Sequence, residues 1–573
     1  MSGSYYIGVT IGPIYKAIMS SKKTRELWGT SFIFSEIMYN LYTKIKDSIG
    51  EDKIIVPSVS EDIIGARELL SPKPGLFHDR LIFKDPENGM ELLDGIIESV
   101  LEEWSEKISK TINSEENETL NNEKSQTKKV DSRDILEYLK KYLLLSRIRC
   151  LLEDKPSSIL KLQDYLSALE NDNPFLPSYQ DYKVRTHDNL ERNTGYINAY
   201  WLKNKSGKIP NLYEIASRAF GNEASEVVKE IKGENYNIFF DKLKKKLKEK
   251  SIEKEFLKAH KYVAYVKADG DNMGKFIKKL KDLDMLKKFS LKLMSYAVGK
   301  AHSQLLEFGA LPIYISGDDI FFIAPVLAGR QGDSSQYSVF ELLQRLSDTF
   351  NEEMENILQD LDRTDKIGDL PTLSFGIVLS YHKYPMRECI DMAHRILEDK
   401  AKKQPEKNSV AVRLHKHSGS FVEMVFSLKG SKGDSEFAQF CKLIRSAWNE
   451  EYKILSSLRY KLIQNKILIR KALSNNAKEL RPFEINLNSN ELKNQQLENL
   501  FKNTLDEKIH LEHKHDTFLK IFREQLQNCY ARRMDLWLQE LTEEMENEAD
   551  RTVDHVVGIL KILSFLKEGD GGV

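Results

Sequence analysis

The chain has little cysteine, and none of it is paired in sequence. Its four cysteines, Cys150, Cys389, Cys441 and Cys529, are far apart and form no Cys-x-x-Cys pair. A structural zinc site needs several closely spaced thiolate or imidazole ligands. The spacing therefore argues against such a site and favours isolated thiols.

The chain also lacks net charge, long apolar runs and a signal-peptide pattern. Lys and Arg total 86 and Asp and Glu total 87, which gives a formal net charge of −1. This balance offers no overall attraction for a polyanion, so any nucleic-acid contact must be local or shared with partner subunits. No apolar run approaches the ~20 residues that cross a bilayer, and the N-terminus has no signal-peptide layout. We expect a cytoplasmic protein without membrane contact.

What remains is a foldable composition divided into several units. At 573 residues, of which 41% are hydrophobic, the chain is too long for one core. The pattern predicts an α+β protein with a first α+β unit at 1–90, a helical insertion at 91–258, a second α+β unit at 259–420 and a C-terminal helical bundle at 435–573.

Hydrophobic periodicity places elements within these units. In the first unit it predicts strands at 5–10 and 53–59, a long helix at about 24–49, and within 74–84 a glycine-proline turn that leads into a third strand. In the insertion it predicts helices at 91–104, 135–153 and 158–169, with a polar, disordered loop near 105–134. The second unit begins with strand, helix, strand, strand, helix and strand, which is the ferredoxin-like order.

Two apolar strands of the second unit end or turn at glycine and aspartate. They are YVAYVKADGDNMGKF at 262–276 and PIYISGDDIFFIAP at 312–325, and 49 residues separate Asp269 from Asp318. Adjacent strands lie roughly 5 Å apart, so these carboxylates can converge. Aspartates are ordinary turn residues, but the adjacent Asp318 and Asp319 between apolar strands would be costly without a cation. We therefore predict a Mg²⁺ or Mn²⁺ site at Asp269, Asp318 and Asp319, suited to attack of a hydroxyl on the α-phosphate of a nucleoside triphosphate.

The turn after the first of these strands is a candidate nucleotide-binding segment. It contains Gly270, Asp271, Asn272, Met273 and Gly274. Because it follows a strand and precedes a helix, its backbone N–H groups would face a triphosphate. Lys400 or Lys403, at the end of the helix RECIDMAHRILEDKAKK, would supply a cation to the same phosphates. Equally, these lysines would be favoured at a helix C-terminus by the helix dipole alone.

A third candidate is the adjacent pair His78 and Asp79, at the start of a predicted strand. Such a pair occurs in metal-dependent phosphohydrolases, which need further His and Asp ligands on neighbouring helices. No upstream helical domain supplies these ligands, so we do not expect nuclease activity from this pair.

Together these motifs resemble the large polymerase/cyclase-like subunit of type III CRISPR effector complexes, most closely the III-B branch. The matching segments run in the expected order through both α+β units. They are TIGPIYKAI, KKTRELWGTSFIFSEIM, GLFHDRLIF at the position of a Leu-Pro-Asn-Arg-Phe segment, YVKADGDNMGKF, ISGDDIFFIAP for a Gly-Gly-Asp-Asp signature, and SFGIVLSYHKYPMRECIDMAHRILEDKAK.

The resemblance implies two nucleotidyl cyclase-like palm domains packed face to face. It implies a complex with other type III CRISPR subunits, guide RNA and target RNA, in which this chain uses ATP to make a nucleotide second messenger. Asp269 and Asp318 would ligate the metals, Asp319 would support them, and the segment 270–274 would hold the triphosphate.

The sequence also departs from that family. The palm motif begins within about ten residues of Met1, so we expect neither an N-terminal HD nuclease domain nor DNA cleavage. The zinc-binding cysteines often found between the palms are absent. Ser316 stands at the first glycine of the signature, and Asp79 stands where the family usually has asparagine.

Asp79 bears on the acceptor of the transferred nucleotide. An extra carboxylate in the acceptor pocket would repel the phosphates of a second ATP and favour a cationic acceptor. Some members of the family join AMP to S-adenosylmethionine, which is positively charged, and others form cyclic oligoadenylate. Both products stay open here. An inactive scaffold that binds RNA and partner subunits, and a stand-alone nucleotidyl cyclase or dinucleotide synthase, are further alternatives.

Overall fold

The computed structural model describes residues 3–449, the short pieces 459–460 and 463–464, and residues 545–569. Within the first range it leaves out 13, 115–128, 172–195, 198–199, 201–208, 232–235, 330–336, 361–369 and 431–434. The predicted C-terminal bundle lies mostly outside the described residues, which include two of its helices.

The first α+β unit contains a four-stranded sheet in the spatial order β2-β3-β1-β4. Its strands are β1 (Ser4–Gly12), β2 (Ile54–Val56), β3 (Arg80–Lys84) and β4 (Leu144–Leu152). The helices of this part of the chain are α1 (Ile14–Ser20), α2 (Thr24–Ile49), α3 (Glu61–Leu69), α4 (Gly89–Ser114), α5 (Ser132–Tyr142) and α6 (Pro156–Asn171). Because β1 lies between β3 and β4, the sheet has the ferredoxin-like strand order.

Strand β4 corrects a prediction in the insertion. The sequence predicts one helix at 135–153, whereas α5 ends at Tyr142 and β4 follows almost directly. β4 pairs antiparallel with β1 along its whole length, from Leu144 opposite Gly12 to Leu152 opposite Ser4. Alternate residues of β4 face the core and the solvent, as expected for a strand with one covered face. Its apolar content would suit a helix equally well. The first sheet thus extends beyond residue 90.

Helix α4 corrects the predicted loop near 105–134. The helix continues to Ser114, because Ile108 and Ile112 keep the apolar spacing of its buried face. Residues 115–128 of the predicted loop lie outside the described residues.

Between the two α+β units lies a small helical unit with its own apolar cluster. Its helices are α7 (Leu212–Ala216), α8 (Gly221–Ile231) and α9 (Phe239–Glu249). Aromatic contacts attach it to the second α+β unit. The ring of Phe240 lies 4.7 Å from the ring of His382, which follows strand β8, Thr372–Tyr381. His382 is buried, and its Nδ1 donates a 3.0 Å hydrogen bond to the Lys261 carbonyl.

The second α+β unit contains a six-stranded sheet in the order β10-β9-β8-β5-β7-β6. Its other strands are β5 (Tyr262–Asp271), β6 (Leu311–Ser316), β7 (Asp319–Pro325), β9 (Ser409–His415) and β10 (Phe421–Ser427). Its helices are α10 (Met273–Ile277), α11 (Leu283–Ser295), α12 (His302–Phe308), α13 (Val339–Asp360) and α14 (Met386–Ile396), and α15 (Glu436–Asn449) and α16 (Met545–Lys567) follow. The strands β8-β5-β7-β6 again give the ferredoxin-like order. The predicted fold of two ferredoxin-like α+β units is confirmed.

The two sheets meet at the edge strand β6. Gly75, which precedes β3, pairs with Tyr314 of β6. The Gly75 N–H donates to the Ile313 carbonyl at 3.0 Å, and the Ile315 N–H donates to the Gly75 carbonyl at 2.8 Å. Buried side chains of both units form one continuous apolar cluster. No helix among the described residues is both long and apolar enough to span a membrane.

We predict that Gly75→Ala weakens the junction between the two units. A Cβ at this position would lie 2.5 Å from the Ser31 Oγ and 3.3 Å from the Tyr314 Cβ. The free energy of unfolding should fall by about 1–3 kcal/mol, as for other overpacking substitutions, in chemical denaturation. The matched control is Gly95→Ala in α4, where a Cβ meets nothing within 4 Å. This substitution should raise the free energy of unfolding by at most about 1 kcal/mol, because alanine favours the helix over glycine. A Gly75→Ala protein as stable as the wild type would contradict this account.

We also predict that the fold loses stability in mild acid through His382. Burial lowers the pKa of His382 to about 4, whereas the unfolded chain binds the proton near pH 6.5. Its contribution is therefore complete above pH 6.5 and is lost as the pH falls toward 4. When the pH falls from 7.5 to 5.5, the free energy of unfolding should decrease by roughly 1 kcal/mol less in His382→Gln than in the wild type. The control is His417→Gln at an exposed position. Equal pH dependence in His382→Gln and the wild type would refute the prediction.

Candidate functional site

The turn between β6 and β7 carries two adjacent carboxylates. Ser316 and Asp319 pair across the hairpin, which leaves Gly317 and Asp318 as a two-residue turn. Gly317 has a φ of 70°, a backbone conformation that glycine adopts without a steric penalty. The sequence Ser-Gly-Asp-Asp therefore forms a tight turn that presents both aspartates at the end of the hairpin.

Asp318 lies directly against the backbone of β5. Its carboxylate accepts hydrogen bonds from its own amide and from the Gly270 amide. A Cβ on Gly270 would overlap the Asp318 carboxylate, so only glycine permits this approach. Burial, together with the charge of Asp319, raises the pKa of Asp318 to about 7. The raised pKa means that this buried position stabilises the charged carboxylate less well than water does.

Asp319 lies beside a phenol and an ammonium group. Burial raises the pKa of Asp319, and the Lys267 ammonium and the Tyr314 hydroxyl, which donates a hydrogen bond, oppose that rise. The Lys267 Nζ lies 5.9 Å from the centre of the Tyr314 ring and 5.6 Å from that of Tyr15. Lys267 thus supplies positive charge next to the turn.

Asp269, at the same end of β5, forms an ion pair with Lys402. Lys402 follows a π-helical turn, Leu397–Ala401, that continues α14. Burial lowers the pKa of Lys402 to about 8. The predicted cations lie elsewhere, since Lys400 is exposed, 3.8 Å from Glu423, and Lys403 is exposed. A π-helical turn thus directly precedes the lysine that pairs with Asp269, and binding of phosphates by Lys400 or Lys403 stays a prediction.

The predicted nucleotide-binding segment has a divided structure. Gly270 and Asp271 belong to β5, Asn272 has a φ of 60°, and Met273 and Gly274 open α10. The Asp271 carboxylate is buried in the sheet, where it accepts hydrogen bonds from the Ser374 hydroxyl at 2.7 Å and the Asn408 amide at 2.9 Å. Asp271 therefore supports the sheet edge beside the site. Binding of a triphosphate by 270–274 stays a prediction.

The two α+β units enclose a cavity of about 610 Å³. Asp269, Asp318 and Asp319 line it from the second unit, and His78 and Asp79 line it from the first. The further polar residues on its walls are Tyr15, Lys16, Ser31, Ser35, Arg80, Gln163, Glu170, Lys267, Tyr314 and Ser316. The structure thus brings the predicted metal ligands and the predicted acceptor residue into one space.

The first-unit wall contains a second acidic residue. Glu170 of α6 accepts a hydrogen bond from Thr10 and pairs with Arg80 at 3.4 Å. Burial raises the pKa of both Glu170 and Asp79, and each carboxylate also feels the charge of Arg80. Glu170 is not among the residues that the sequence predicts for the site, because the predicted helix stops at 169. No local pattern marks it, since only the folding of α6 onto the sheet brings it to the cavity.

A hydrogen bond joins the two walls. The Nδ1 of His78 and the Oγ of Ser316 lie 2.9 Å apart and share one proton between them. Burial lowers the pKa of His78 to about 4, so its imidazole is neutral near pH 7. This arrangement differs from a nuclease site, in which a histidine is free to ligate a metal.

The donor set at the carboxylate end fits a hard cation in its chemistry. Among the described residues, no three His, Cys, Asp or Glu side chains are already arranged to enclose an ion. Three carboxylates nevertheless line the same cavity, and burial together with Asp319 raises the pKa of Asp318, so a hard cation would stabilise the charged form of that carboxylate. An ion bound by Asp269 would compete with Lys402 for that carboxylate.

Comparisons with known proteins agree with this architecture. Residues 262–411 match the family model for the second palm domain of Cas10/Cmr2. Residues 6–113 match the model for the N-terminal region of the CRISPR-associated protein Cmr2. The CRISPR system Cmr subunit Cmr2 of Pyrococcus furiosus is 27% identical in an alignment that covers 37% of this chain and 23% of that protein. The chain therefore matches about a quarter of that relative's length.

Two solved structures share the fold. A chain of the type III-B Cmr-beta complex in its apo state superposes with a TM-score of 0.54 at 11% identity, covering 88% of this chain and 77% of that one. The same complex bound to cognate target RNA gives a TM-score of 0.51 at 12% identity, covering 88% and 78%. The two family models thus match in order along the chain, and over 6–113 and 262–411 the chain is similar to the N-terminal region and the second palm domain of Cas10/Cmr2 proteins.

Proposed function

We propose that this chain is a nucleotidyltransferase that transfers AMP from ATP within a type III CRISPR complex. The observation that carries the proposal is the cavity between the palms, in which Asp318, Asp319 and Asp269 face the first-palm residue Asp79. A cavity with carboxylates on one side and a separate polar wall on the other can hold two substrates for a transfer between them.

On the donor side, Asp269, Asp318 and Asp319 would hold Mg²⁺ or Mn²⁺. When bound, such a cation neutralises charge on the triphosphate and makes its α-phosphate more electrophilic. The protein supplies the rest of the electrostatics. Lys267 lies beside Asp319, and Lys402 is the cation closest to Asp269, so both can bind phosphate oxygens. Tyr314 orients the Asp319 carboxylate by its hydrogen bond.

On the acceptor side, the charge of the wall favours one of two substrates. Arg80 is engaged by Glu170, by the Ser167 hydroxyl at 2.9 Å and by the Gln163 carbonyl at 3.3 Å. The Asp79 carboxylate is then left to face the cavity. This arrangement favours a cationic acceptor such as S-adenosylmethionine over a second ATP, whose use would lead to cyclic oligoadenylate.

The proposed assembly is based on the similar solved chains. The similar solved chains belong to type III-B Cmr complexes, one of them bound to target RNA. We propose that this chain likewise works with other type III subunits, a guide RNA and a target RNA that activates the transfer. A catalytically inactive scaffold in the same complex is the alternative that the following experiment tests.

The assembled complex should convert labelled ATP to an adenylylated product when target RNA is added. Asp318→Asn and Asp319→Asn keep the side-chain shape but remove charge, and each should lower the rate by at least about 100-fold. The control Asp62→Asn changes an exposed aspartate of α3 in the same way and should leave the rate unchanged. If the wild-type complex makes no product, or the Asp318 and Asp319 variants match it, the chain acts as a scaffold.

The acceptor is tested with Asp79→Asn in the same assay, with and without S-adenosylmethionine. If Asp79 binds a cationic acceptor, its loss should raise the KM for S-adenosylmethionine by about 10-fold or more, the usual effect of removing a charged hydrogen-bond partner. Asp164→Asn, on an exposed position of α6, is the control. A wild-type product that consists of linked adenylates and is indifferent to S-adenosylmethionine would overturn the cationic acceptor and leave adenylyl transfer standing.

A further inference from the structure

His78 and Ser316 connect the two walls of the cavity side chain to side chain. They lie 238 positions apart in sequence and on different palms, and their hydrogen bond measures 2.9 Å. His78 directly precedes Asp79 of the acceptor wall, and Ser316 lies two residues before Asp318 of the carboxylate turn. The intervening Gly317 also packs against this imidazole, since a Cβ there would lie 3.6 Å from the His78 Cε1.

The backbone that carries His78 is fixed on both sides. The Ser35 Oγ of α2 accepts hydrogen bonds from the Leu76 amide at 3.0 Å and from the Phe77 amide at 2.7 Å. Gly75 is paired with β6, and the Asp79 carbonyl accepts a 3.1 Å hydrogen bond from the Ile11 amide. The imidazole is therefore attached to a segment that has little freedom to shift.

The carboxylate turn has fewer constraints at its tip. Gly317 and Asp318 lie outside the strand pairing of β6 and β7, and glycine has the most backbone freedom of any residue. The hydrogen bond between Ser316 and the fixed imidazole on the opposite palm limits that freedom. It does so at the base of the turn, next to the carboxylates.

We infer that His78 and Ser316 are positioning residues that set the distance between the acceptor wall and the Asp318–Asp319 turn. The inference rests on the proposed adenylyl transfer, in which two bound substrates must meet in a fixed geometry. A displacement of about 1 Å between reacting groups can lower a rate about 100-fold. A neutral hydrogen bond at this place therefore acts mainly on turnover, because neither side chain carries charge to bind ATP.

The test is a double-mutant cycle in the assembled, RNA-activated complex. Ser316→Ala and His78→Ala each remove one partner, and the double variant removes both. Each single variant should lower kcat by about three- to ten-fold, the range of one neutral hydrogen bond, while the KM for ATP changes less than two-fold. The double variant should be no slower than the slower single variant, since the same bond is lost in all three.

A conservative variant provides the rescue. The Asn amide reaches the position of the His Nδ1, so His78→Asn should recover at least half of the lost kcat when Ser316 is present and none when it is alanine. Ser303→Ala is the matched control, because the exposed Ser303 hydroxyl bonds only within its own helix, to the Gly299 carbonyl at 2.7 Å. It should behave as the wild type.

The outcomes separate this inference from the proposed function. Coupled losses with rescue by asparagine support it. An active wild-type complex in which the two substitutions are additive, or have no effect on kcat, overturns the inference alone. If His78→Ala fails to assemble, Ser316→Ala and His78→Asn with its rescue comparison decide the case. A wild-type complex without adenylyl transfer overturns the proposed function and this inference together.

Discussion

The burial of several carboxylates with too little positive charge around them is the constraint on which this structure depends. Moving an ion out of water costs several kcal/mol even after the protein relaxes. Burial and the charge of Asp319 raise the pKa of Asp318 to about 7. The surrounding groups therefore do not fully offset the cost of burying this charge. The residues around the Asp318–Asp319 turn reduce this penalty. Gly270 lets the carboxylate reach backbone amides, Lys402 pairs with Asp269, and Lys267 and Tyr314 support Asp319. A site with residual negative charge is one that a divalent cation and its phosphates would stabilise.

The first palm contributes through one short segment. From Gly75 to Arg80 the chain pairs with β6, accepts support from α2, reaches the carboxylate turn with His78 and faces the cavity with Asp79. It then enters β3, the strand beside the central β1. Sheet pairing at the edge of one palm thus fixes the acceptor wall of the other. Both palms line the cavity. One continuous apolar cluster contains buried side chains of both palms and holds them together beneath it.

The elements that the sequence predicts well are those with a local physical signal. The strands that carry Asp269 and Asp318 are apolar, β-branched and ended by glycine, and helix α2 repeats its buried residues at helical spacing. What could not be predicted depends on distant partners. Strand β4 is chosen by its pairing with β1, since its apolar run suits a helix as well. The ion pair between Lys402 and Asp269 could not be predicted either, because it joins residues 133 positions apart. Glu170 and the bond between His78 and Ser316 arise only when separate elements pack together.

The two walls of the cavity differ in what a bound charge would do to them. On the donor wall, a bound cation and its triphosphate would bring positive and negative charge together. Lys402 could then move from Asp269 to a phosphate, because the cation would pair with Asp269 in its place. On the acceptor wall, Arg80 is already engaged by Glu170, Ser167 and Gln163. A phosphate placed there would have to draw Arg80 away from Glu170, which would leave Glu170 as an unpaired carboxylate, and it would also face the Asp79 carboxylate. A cation placed there needs no such rearrangement, because Asp79 faces the cavity and its pKa is raised by burial. In the proposed reaction, the same rule of charge pairing that organises the donor turn would disfavour a polyanionic acceptor on the opposite wall.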